Sequence, residues 1–166
     1  MSEIDAFIQW IVSLVSQNIY PGVFLAALIE TVFPPIPSEV VFPLAGYSIL
    51  KNQMNAFHVV GVGITGGAGA TVGAFVIYII SKRLGRIGLI KYLKYAKIKE
   101  SSLKKADQWF EKYGDKSVII GRVIPGIREL VSIPAGIFNM SPIKFLIFTL
   151  IGSCIWSIAL TGAGYY

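Results

Sequence analysis

Four charged residues lie inside otherwise apolar stretches of this sequence and are the best candidates for chemistry: Glu30, Glu39, Arg122 and Arg128. If these stretches lie in a lipid bilayer, each central charge costs at least ~2.5 kcal/mol, so a role is needed to explain it. A glutamate there can hold a proton or bind a cation, whereas an arginine presents a rigid donor fork that matches phosphate. We therefore predict that Arg122 and Arg128 bind a phosphate group and that Glu39 and Glu30 couple to a proton or another cation.

Each of these residues also has a purely structural interpretation. Glu39 and the preceding Ser38 stand where they could cap a helix that starts near residue 40, and Glu30 could end a helix at the membrane surface. The arginines could form internal salt bridges with the glutamates, and Arg122 could extend towards the lipid headgroups. A salt bridge that opens to admit phosphate would combine both interpretations. We favour Glu39 as the partner of Arg128 in such a salt bridge.

The charged residues belong to two stretches of similar design. The first is TVFPPIPSEVVFPLAGY, residues 31–47, and the second is IPGIRELVSIPAGI, residues 124–137. When the two Ala-Gly pairs are aligned, Glu39 falls opposite Glu129, so we predict that the stretches are two halves of one site. Their prolines disrupt regular helices, and their glycines are expected to end or bend helices. The residues that we expect to shape the two halves are Pro35, Pro37, Pro43, Gly46, Pro125, Pro134 and Gly136.

The composition predicts an integral membrane protein. Hydrophobic residues make up 54% of the chain and charged residues 14%, and the mean hydropathy is +0.66; soluble domains carry about 25% charged residues. Eleven of the 15 Lys and Arg residues lie between residues 82 and 116, which predicts a cytoplasmic loop rather than a surface for nucleic acid. The single cysteine, Cys154, has no partner for a disulfide and is expected to be a packing residue.

The lengths of the uncharged runs predict which segments cross the membrane. About 20 apolar residues are needed to span a bilayer, so the runs at residues 40–50, 117–121 and 130–143 are too short and favour re-entrant hairpins. Gly69 and Gly73 form a small-residue face on the longest run, against which another element can pack closely. Because the hairpins would enter from opposite faces, the sequence predicts an inverted repeat whose broken segments meet near the midplane.

We therefore predict an all-α membrane protein of one domain, in which spanning helices accompany two facing re-entrant helical hairpins and cytoplasmic amphipathic helices. A break at Pro21-Gly22 separates the first element from the next. The predicted elements are an amphipathic N-terminal helix (1–20), a first re-entrant hairpin (31–50), a spanning helix (54–81), cytoplasmic surface helices (83–115), a second re-entrant hairpin (117–142) and a last spanning helix (144–166).

Other polar and aromatic residues are weaker candidates. His58, the only histidine, follows a polar turn and is expected at the membrane surface rather than in catalysis. Asp107, Glu111 and Asp115 recur every four residues, which favours a solvated helix face over a metal site. Trp156 is expected to be an interface or core aromatic, like the other tryptophans. We predict no catalytic residue, no metal site and no cofactor.

The paired motifs resemble those of the DedA family, also called VTT-domain proteins. The resemblance rests on ETVFPPIPSEVVFPLAG (30–46), GRVIPGIRELVSIPAG (121–136), the glycine-rich helix between them and FLIFTLIGSCIW (145–156). It implies two facing re-entrant hairpins and the movement of lipids such as undecaprenyl phosphate, with dependence on the proton motive force. It also places the family's acidic residues at Glu30 and Glu39 and its essential arginines at Arg122 and Arg128.

Two features depart from the family pattern. Gly73-Ala74, ahead of Tyr78, stands where many members have Gly-Asp, so a role of that Asp is absent here or supplied elsewhere. Members also usually continue into another spanning helix, whereas this chain stops at Tyr166 and is interpreted as truncated.

These features together predict a transporter, or flippase, for a phosphate-bearing lipid, either undecaprenyl phosphate or a phospholipid, coupled to protons or a monovalent cation. One alternative is a membrane polyprenyl-diphosphate phosphatase, although residues 125–128 hold neither the Ser nor the His that such an enzyme needs near its phosphate. Another is a factor that organises lipids or proteins without transport. We expect the plasma membrane of a prokaryote, no nucleic-acid partner, and a homo-oligomer as an open alternative to the monomer.

Overall fold

The computed structural model describes residues 9–10, 13–15, 17–32, 38–95 and 99–166, with residues 86 and 89–95 described by their backbone alone. Within these ranges the helices are α1 (Ile19–Val32), α2 (Ser38–Lys51), α3 (Phe57–Tyr95), α4 (Glu100–Tyr113), α5 (Ser117–Arg122), α6 (Ser132–Ile137) and α7 (Pro142–Tyr165), and a 3-10 turn at Gly114–Lys116 precedes α5. The described residues include no strand, so the all-α prediction is confirmed for this part of the chain.

Two helices are long and apolar enough to cross a membrane. The apolar part of α3, Phe57–Gly85, has 29 residues and α7 has 24. At about 1.5 Å per residue, both exceed the ~30 Å hydrocarbon core of a bilayer. Only 28% of the most apolar window of α7 is buried, and its exposed residues include Ile147, Ile151 and Ile155. An apolar outer surface of this kind is typical of the lipid-facing helices predicted at 54–81 and 144–166.

We predicted that the spanning helix ends at Ser81. In the structure α3 continues through Lys82 and Arg83. Lysine and arginine are good helix formers, so their charge does not stop a helix. At Gly85 the backbone has φ 60° and ψ −167°, which residues with side chains rarely adopt, and the helix kinks there before it continues to Tyr95. The predicted boundary at residues 81–83 is therefore wrong, and the glycine marks the change of direction.

Glycines on two faces of α3 let neighbouring helices approach its backbone. A Cβ at Gly73 would lie 2.8 Å from the carbonyl oxygen of Leu28 in α1, closer than real Cβ atoms come. Gly69 is equally crowded by α1, so the predicted close-packing face is confirmed. On another face, a Cβ at Gly67 would lie 2.8 Å from the backbone nitrogen of Cys154 in α7, and Cys154 is a packing residue, as predicted.

The elements around the two proline-containing stretches are too short to cross a bilayer. Helices α1 and α2 have 14 residues each, and α5 and α6 have six each. At ~1.5 Å per residue even the longer pair reaches only about 21 Å. One hydrophobic cluster joins α1, α2 and the start of α3, and another joins α4, α5, α6 and the start of α7 to a later part of α3. The described residues fit two hairpins, whose re-entrant path stays a prediction.

The chain breaks before α1, as predicted, but at Asn18 rather than at Pro21-Gly22. Pro21 lies in the first turn of α1, where a proline is tolerated because that N–H has no partner within the helix. Gly22 lets the preceding segment fold back closely, since a Cβ there would lie 2.7 Å from the Cα of Val15. Most of the predicted N-terminal helix, including residues 1–8, lies outside the described residues.

Helix α4 is amphipathic, but its apolar face packs on the protein. Leu103 and Ala106 are buried in a cluster with Ile77, Leu130 and Ile133. We predicted that this face lies on the cytoplasmic membrane surface. In the structure it instead covers the second proline-containing stretch and part of α3, so it is not free to bind lipid.

The predicted solvated face of α4 is wrong at one position. Asp107 is buried, with 6% of its surface exposed, because it falls on the same helical stripe as the buried Leu103 and Phe110. Glu111 is exposed, as expected. Asp115 lies beyond the helix and forms an ion pair with Lys144 at 3.2 Å.

The two glycines of the aligned Ala-Gly pairs allow close helix contacts. Gly46 does not end its helix, because it lies well inside α2, where a Cβ would lie 2.9 Å from the backbone nitrogen of Tyr165 in α7. Gly136 lies one residue before the end of α6, and a Cβ there would lie 2.6 Å from the carbonyl oxygen of Tyr78 in α3. Both positions require glycine for packing, which the sequence did not predict.

Three of the prolines named above are described, one inside a helix and two in or just after the turn 123–131. Pro43 lies inside α2, where it cannot donate to the carbonyl oxygen of Glu39. Pro125 lies in the turn 123–131 between α5 and α6, followed by Gly126 with φ 80°. Pro134 lies in the first turn of α6, which tolerates it. Two others named above, Pro35 and Pro37, lie outside the described residues.

Candidate functional site

Arg128 joins the two proline-containing stretches. It lies in the turn 123–131, and its Nη2 donates hydrogen bonds to Oε1 of Glu30 and to Oγ of Ser38. Glu30 lies near the end of α1 and Ser38 begins α2, so one guanidinium holds both helices of the first hairpin. Only 12% of the Arg128 side chain and 5% of the Glu30 side chain are exposed. The two stretches therefore meet, as predicted.

Glu30 is the buried acid of this contact. Its Oε1 also accepts a hydrogen bond from the backbone N–H of Ser38 at 3.0 Å. The first N–H groups of a helix have no partner within it, and the helix dipole favours negative charge there, so Glu30 caps α2 from the end of α1. A buried ion pair is tolerated under these conditions, in which further hydrogen bonds satisfy both charges.

Two more acids surround Arg128 at a greater distance. Oε1 of Glu39 lies 3.9 Å from Nη2 of Arg128 and Oε1 of Glu129 lies 3.7 Å from it, and their side chains are 48% and 30% exposed. We favoured Glu39 as the main partner of Arg128, but Glu30 takes that place. One residue along a helix turns the side chain by about 100°, so when Ser38 faces Arg128 directly, Glu39 reaches it only from the side and stays beyond hydrogen-bond distance.

Arg122 is buried and holds the turn that carries Arg128. It is the last residue of α5, with 4% of its surface exposed. Its Nη1 donates to the carbonyl oxygen of Arg128 at 2.9 Å, and its Nη2 donates to Oγ of Ser132 at 2.6 Å. Its Nε has no hydrogen-bond partner among the described residues. Arg122 therefore does not extend to the membrane surface, and it keeps one donor available inside the protein.

Trp156 contributes an aromatic face that the sequence reading did not single out. The Cζ atom of Arg128 lies 5.4 Å from the centroid of the Trp156 ring, within the range of a cation–π contact. Its Nε1 is buried without a hydrogen-bond partner in the part of the chain that the structure describes. A tryptophan late in an apolar helix gave no signal of this role, because such residues are common at membrane surfaces.

A pocket lies between the two hairpins and α7. It encloses about 370 Å³ of empty space, including its opening to solvent. Its walls bring together both predicted arginines, one of the two predicted glutamates and three polar residues of α7. The lining residues are Glu30, Thr31, Phe42, Ala70, Arg122, Arg128, Glu129, Ser153, Trp156 and Ser157.

His58 stands apart from this pocket. Its Nδ1 is hydrogen-bonded to the hydroxyl of Tyr20 at 2.6 Å, which connects the start of α3 to the start of α1. His58 does not line the pocket. Its geometry fits a structural contact between helices.

Arg128 is the cation at the centre of the pocket's charged residues. A guanidinium forms strong bonds with carboxylate or phosphate oxygens, and here it is hydrogen-bonded to one carboxylate and one hydroxyl, with two more carboxylates within 4 Å. Arg122 and Trp156 each carry an N–H without a described partner beside the same space. These two buried N–H groups are the pocket donors that acceptor oxygens of a bound group would satisfy.

Comparison with known proteins gives matches over most of the chain. A model of the VTT domain matches residues 36–166. An alkaline phosphatase-like protein of Lactococcus lactis subsp. cremoris is 34% identical over 159 residues, which cover 93% of this chain and 73% of that protein. No solved structure shows a significant match.

Two further relatives carry the name undecaprenyl phosphate transporter A. The protein from Staphylococcus aureus is 32% identical over 156 residues, covering 92% of this chain and 75% of that protein. The protein from Bacillus subtilis is 35% identical over 145 residues, covering 87% of this chain and 70% of that protein.

Proposed function

The chain belongs to the VTT-domain family, also known as the DedA family, and on this premise we propose that it transports a phosphate-bearing lipid across a membrane. The observation that carries the proposal is the buried contact of Arg128 with Glu30 beside a pocket of unpaired donors. Two relatives are named as transporters of undecaprenyl phosphate, so this lipid, or a phospholipid with a similar headgroup, is the proposed substrate.

The phosphate takes the place of Glu30 on Arg128. In the structure the guanidinium is held by Glu30 and Ser38, and a phosphate offers more acceptor oxygens to the same fork. Nε of Arg122 and Nε1 of Trp156 lie at the walls of the pocket and supply further donors. The more exposed Glu39 and Glu129 repel an anion that approaches Arg128 until they are neutralised or turned away.

Coupling to a cation follows from the burial of Glu30. When phosphate takes Arg128, the Glu30 carboxylate loses its positive partner, and an unpaired buried charge is strongly unfavourable. Binding a proton or a monovalent cation at Glu30 removes this penalty, so lipid and cation bind together. Glu39 is the proposed entry point for the cation, because it is exposed and lies 3.9 Å from Arg128.

The proposed setting is the plasma membrane of a prokaryote, with the loop 82–116 in the cytoplasm. The basic residues of this loop support that orientation. In this setting the α1–α2 and α5–α6 hairpins enter from opposite faces and meet at Arg128, so the site lies near the midplane. The close-packing face of Gly69 and Gly73 is occupied by α1 within the chain, and a homo-oligomer would need another surface.

Transport is tested with the purified protein in vesicles that contain undecaprenyl phosphate. The rate at which inner-leaflet lipid appears in the outer leaflet is measured for the parent, Glu30→Gln and Arg128→Ala. We expect both variants to slow the rate by at least tenfold, because each removes one partner of the exchange. The matched control is Lys144→Gln, which breaks an exposed ion pair outside the site and should keep the parent rate. Equal rates in the folded site variants and the parent would contradict transport through this pocket.

A phosphatase is the second candidate function, favoured by the name of the Lactococcus relative. Ser38 and Ser132 are each bonded to one of the arginines, but His58, the only histidine, does not line the pocket to act as their base. The same purified protein is incubated with undecaprenyl diphosphate. Release of inorganic phosphate would favour the enzyme. If the protein neither releases phosphate nor moves lipid, the result would favour a factor that organises lipids or proteins.

A further inference from the structure

Four hydroxyl residues follow one another at four-residue spacing along α7: Thr149, Ser153, Ser157 and Thr161. All four are buried, whereas the outer surface of the same helix carries isoleucines. Residues four apart lie on nearly the same face, so these side chains form a hydroxyl row that winds slowly around the helix over about 18 Å. The interior side of α7 is thus polar and its lipid-facing side is apolar.

The ends of the hydroxyl row lack the bonds that such residues usually form. Elsewhere in the described helices, the hydroxyl of Thr71 donates to the carbonyl oxygen of Gly67, and that of Ser81 donates to Ile77, four residues earlier in each case. The hydroxyls of Thr149 and Thr161 are fully buried and have no hydrogen-bond partner among the described protein atoms. A buried hydroxyl without a partner is unfavourable, which indicates that a ligand satisfies it.

The middle of the hydroxyl row is part of the pocket at Arg128. Ser153 and Ser157 line that pocket together with Arg122, whose side chain is buried and whose Nε is unpaired. This second observation also indicates a small polar ligand on the same path. The row therefore begins one helical turn before the pocket, passes through it and ends one turn beyond it.

We propose that the hydroxyl row is one wall of a water-filled route that runs along α7 and through the pocket. Hydroxyls four residues apart are separated by about 6 Å along the axis. A water bonded to both neighbours spans roughly 5.5 Å, twice the usual O–H···O distance, so one bridging water fits each gap. Uncharged hydroxyls that both donate and accept suit water, whereas a fixed anion site would call for charge.

The route extends from the pocket towards both ends of α7. Thr149 leads towards Lys144 and Asp115, on the side of the basic loop, and Thr161 leads towards the opposite end, where α7 touches α2. Water in either arm gives a proton or a hydrated cation access to Glu30. The existence of the route does not depend on lipid transport, but its use by a coupling cation rests on that proposed function.

Cysteine reactivity in vesicles tests the route. In the full chain with Cys154→Ser, single variants Thr149→Cys and Thr161→Cys are treated with 2-aminoethyl methanethiosulfonate, which reacts with the thiolate that forms in contact with water. The controls are Ile151→Cys on the lipid-facing side and Val131→Cys in a dry apolar cluster. We expect the two threonine positions to react at least tenfold faster than both controls. Rates as slow as those of the controls would overturn the proposal.

A measurement without substitution guards against misfolded variants. In the unsubstituted protein, NMR magnetisation transfer from water to threonine methyl groups should be faster for Thr149 and Thr161 than for Thr71, whose hydroxyl is bonded to Gly67. Equal transfer to all three would also overturn the route. Reactive cysteines in a protein that moves no lipid would support the route and contradict transport. Unreactive cysteines in a protein that moves lipid would contradict the route and support transport.

Discussion

Arg128 and Glu30, 98 residues apart in the sequence, form a buried ion pair that also fixes the start of α2. Among the described residues, it is the only ion pair between the two hairpins in which both side chains are buried. The other pair between them, Arg128 with Glu39, has an exposed glutamate. The buried pair therefore stabilises the fold and occupies the proposed phosphate site at the same time. Loss of either partner affects both properties, and they can be measured separately.

Removing Arg128 is expected to destabilise the protein strongly. Arg128→Ala leaves Glu30 charged and buried without its partner, a loss of about 3–5 kcal/mol for a pair of this kind. The double variant Arg128→Ala with Glu30→Gln should recover part of this loss, because the remaining amide is uncharged. The unfolding free energy in detergent is the measurement. Lys144→Ala, which breaks an exposed pair, should change it by less than ~1 kcal/mol, and an equal effect of Arg128→Ala would show that the buried pair is not formed.

The two glutamates of the first stretch should differ in their effect on coupling. Glu30→Gln removes the titratable group of the buried pair, so we expect the remaining lipid movement to lose its dependence on an imposed pH or cation gradient. Glu39→Gln removes the exposed charge proposed as the cation's entry point but leaves the Glu30 site in place, so the dependence should remain and the rate should fall less than threefold. Initial rates in vesicles with and without a gradient make the comparison, and the reverse ranking would return the coupling role to Glu39.

Sequence reasoning predicted which charged residues come together but not which of them form a pair. Four charged residues have uncharged surroundings, which indicated that they lie in one region: Glu30, Glu39, Arg122 and Arg128. Charges in apolar surroundings are unfavourable unless opposite charges pair with them. Which glutamate binds Arg128 depends on the rotation of α2 about its axis. That rotation is set by packing of the helix on α7, a long-range contact that no local pattern specifies.

The glycines also show that a local sequence pattern does not specify contacts between distant parts of the chain. The four-residue spacing of Gly69 and Gly73 predicted a close helix contact, which the structure confirms with α1. Gly46 has no such partner in its own helix, so a role in ending that helix was the natural interpretation. Its contact with α7 pairs positions more than one hundred residues apart, and the matching small residue, Gly164, lies on the other helix.

Trp156 is expected to hold the guanidinium of Arg128 ready for phosphate. Its ring lies 5.4 Å from Cζ of Arg128, and a cation–π contact in a partly buried site contributes about 1–2 kcal/mol. Trp156→Leu should therefore weaken binding of a short-chain lipid phosphate by roughly 5–30-fold. Trp156→Phe keeps a weaker aromatic face, so its dissociation constant should lie between those of the parent and Trp156→Leu. Titration calorimetry gives the dissociation constants, and equal values for Leu and Phe would exclude the aromatic contribution.

Close packing of α2 on α7 makes Gly46 intolerant of a side chain. Gly46→Ala places a Cβ about 2.9 Å from the backbone nitrogen of Tyr165, so the helices must separate and we expect a loss of roughly 1–3 kcal/mol. The matched control is Gly162→Ala in α7, where the nearest atom to a Cβ is 3.9 Å away. There the better helix propensity of alanine should raise the unfolding free energy by up to about 1 kcal/mol. Opposite signs for the two variants are the expected result, and a stabilising Gly46→Ala would contradict the contact.

The ends of the hydroxyl row should show stability and function changing in opposite directions. Thr149→Val and Thr161→Val keep the shape of the side chain and remove a buried hydroxyl that has no protein partner, so the unfolding free energy should stay equal or rise by about 1 kcal/mol. If water in this row carries the coupling cation to Glu30, the same variants slow gradient-driven lipid movement several-fold. Thr71→Val loses a hydroxyl bonded to Gly67 and should lower stability slightly without affecting transport. Slower movement together with a clear loss of stability at Thr149 and Thr161 would instead mean that these hydroxyls are structural.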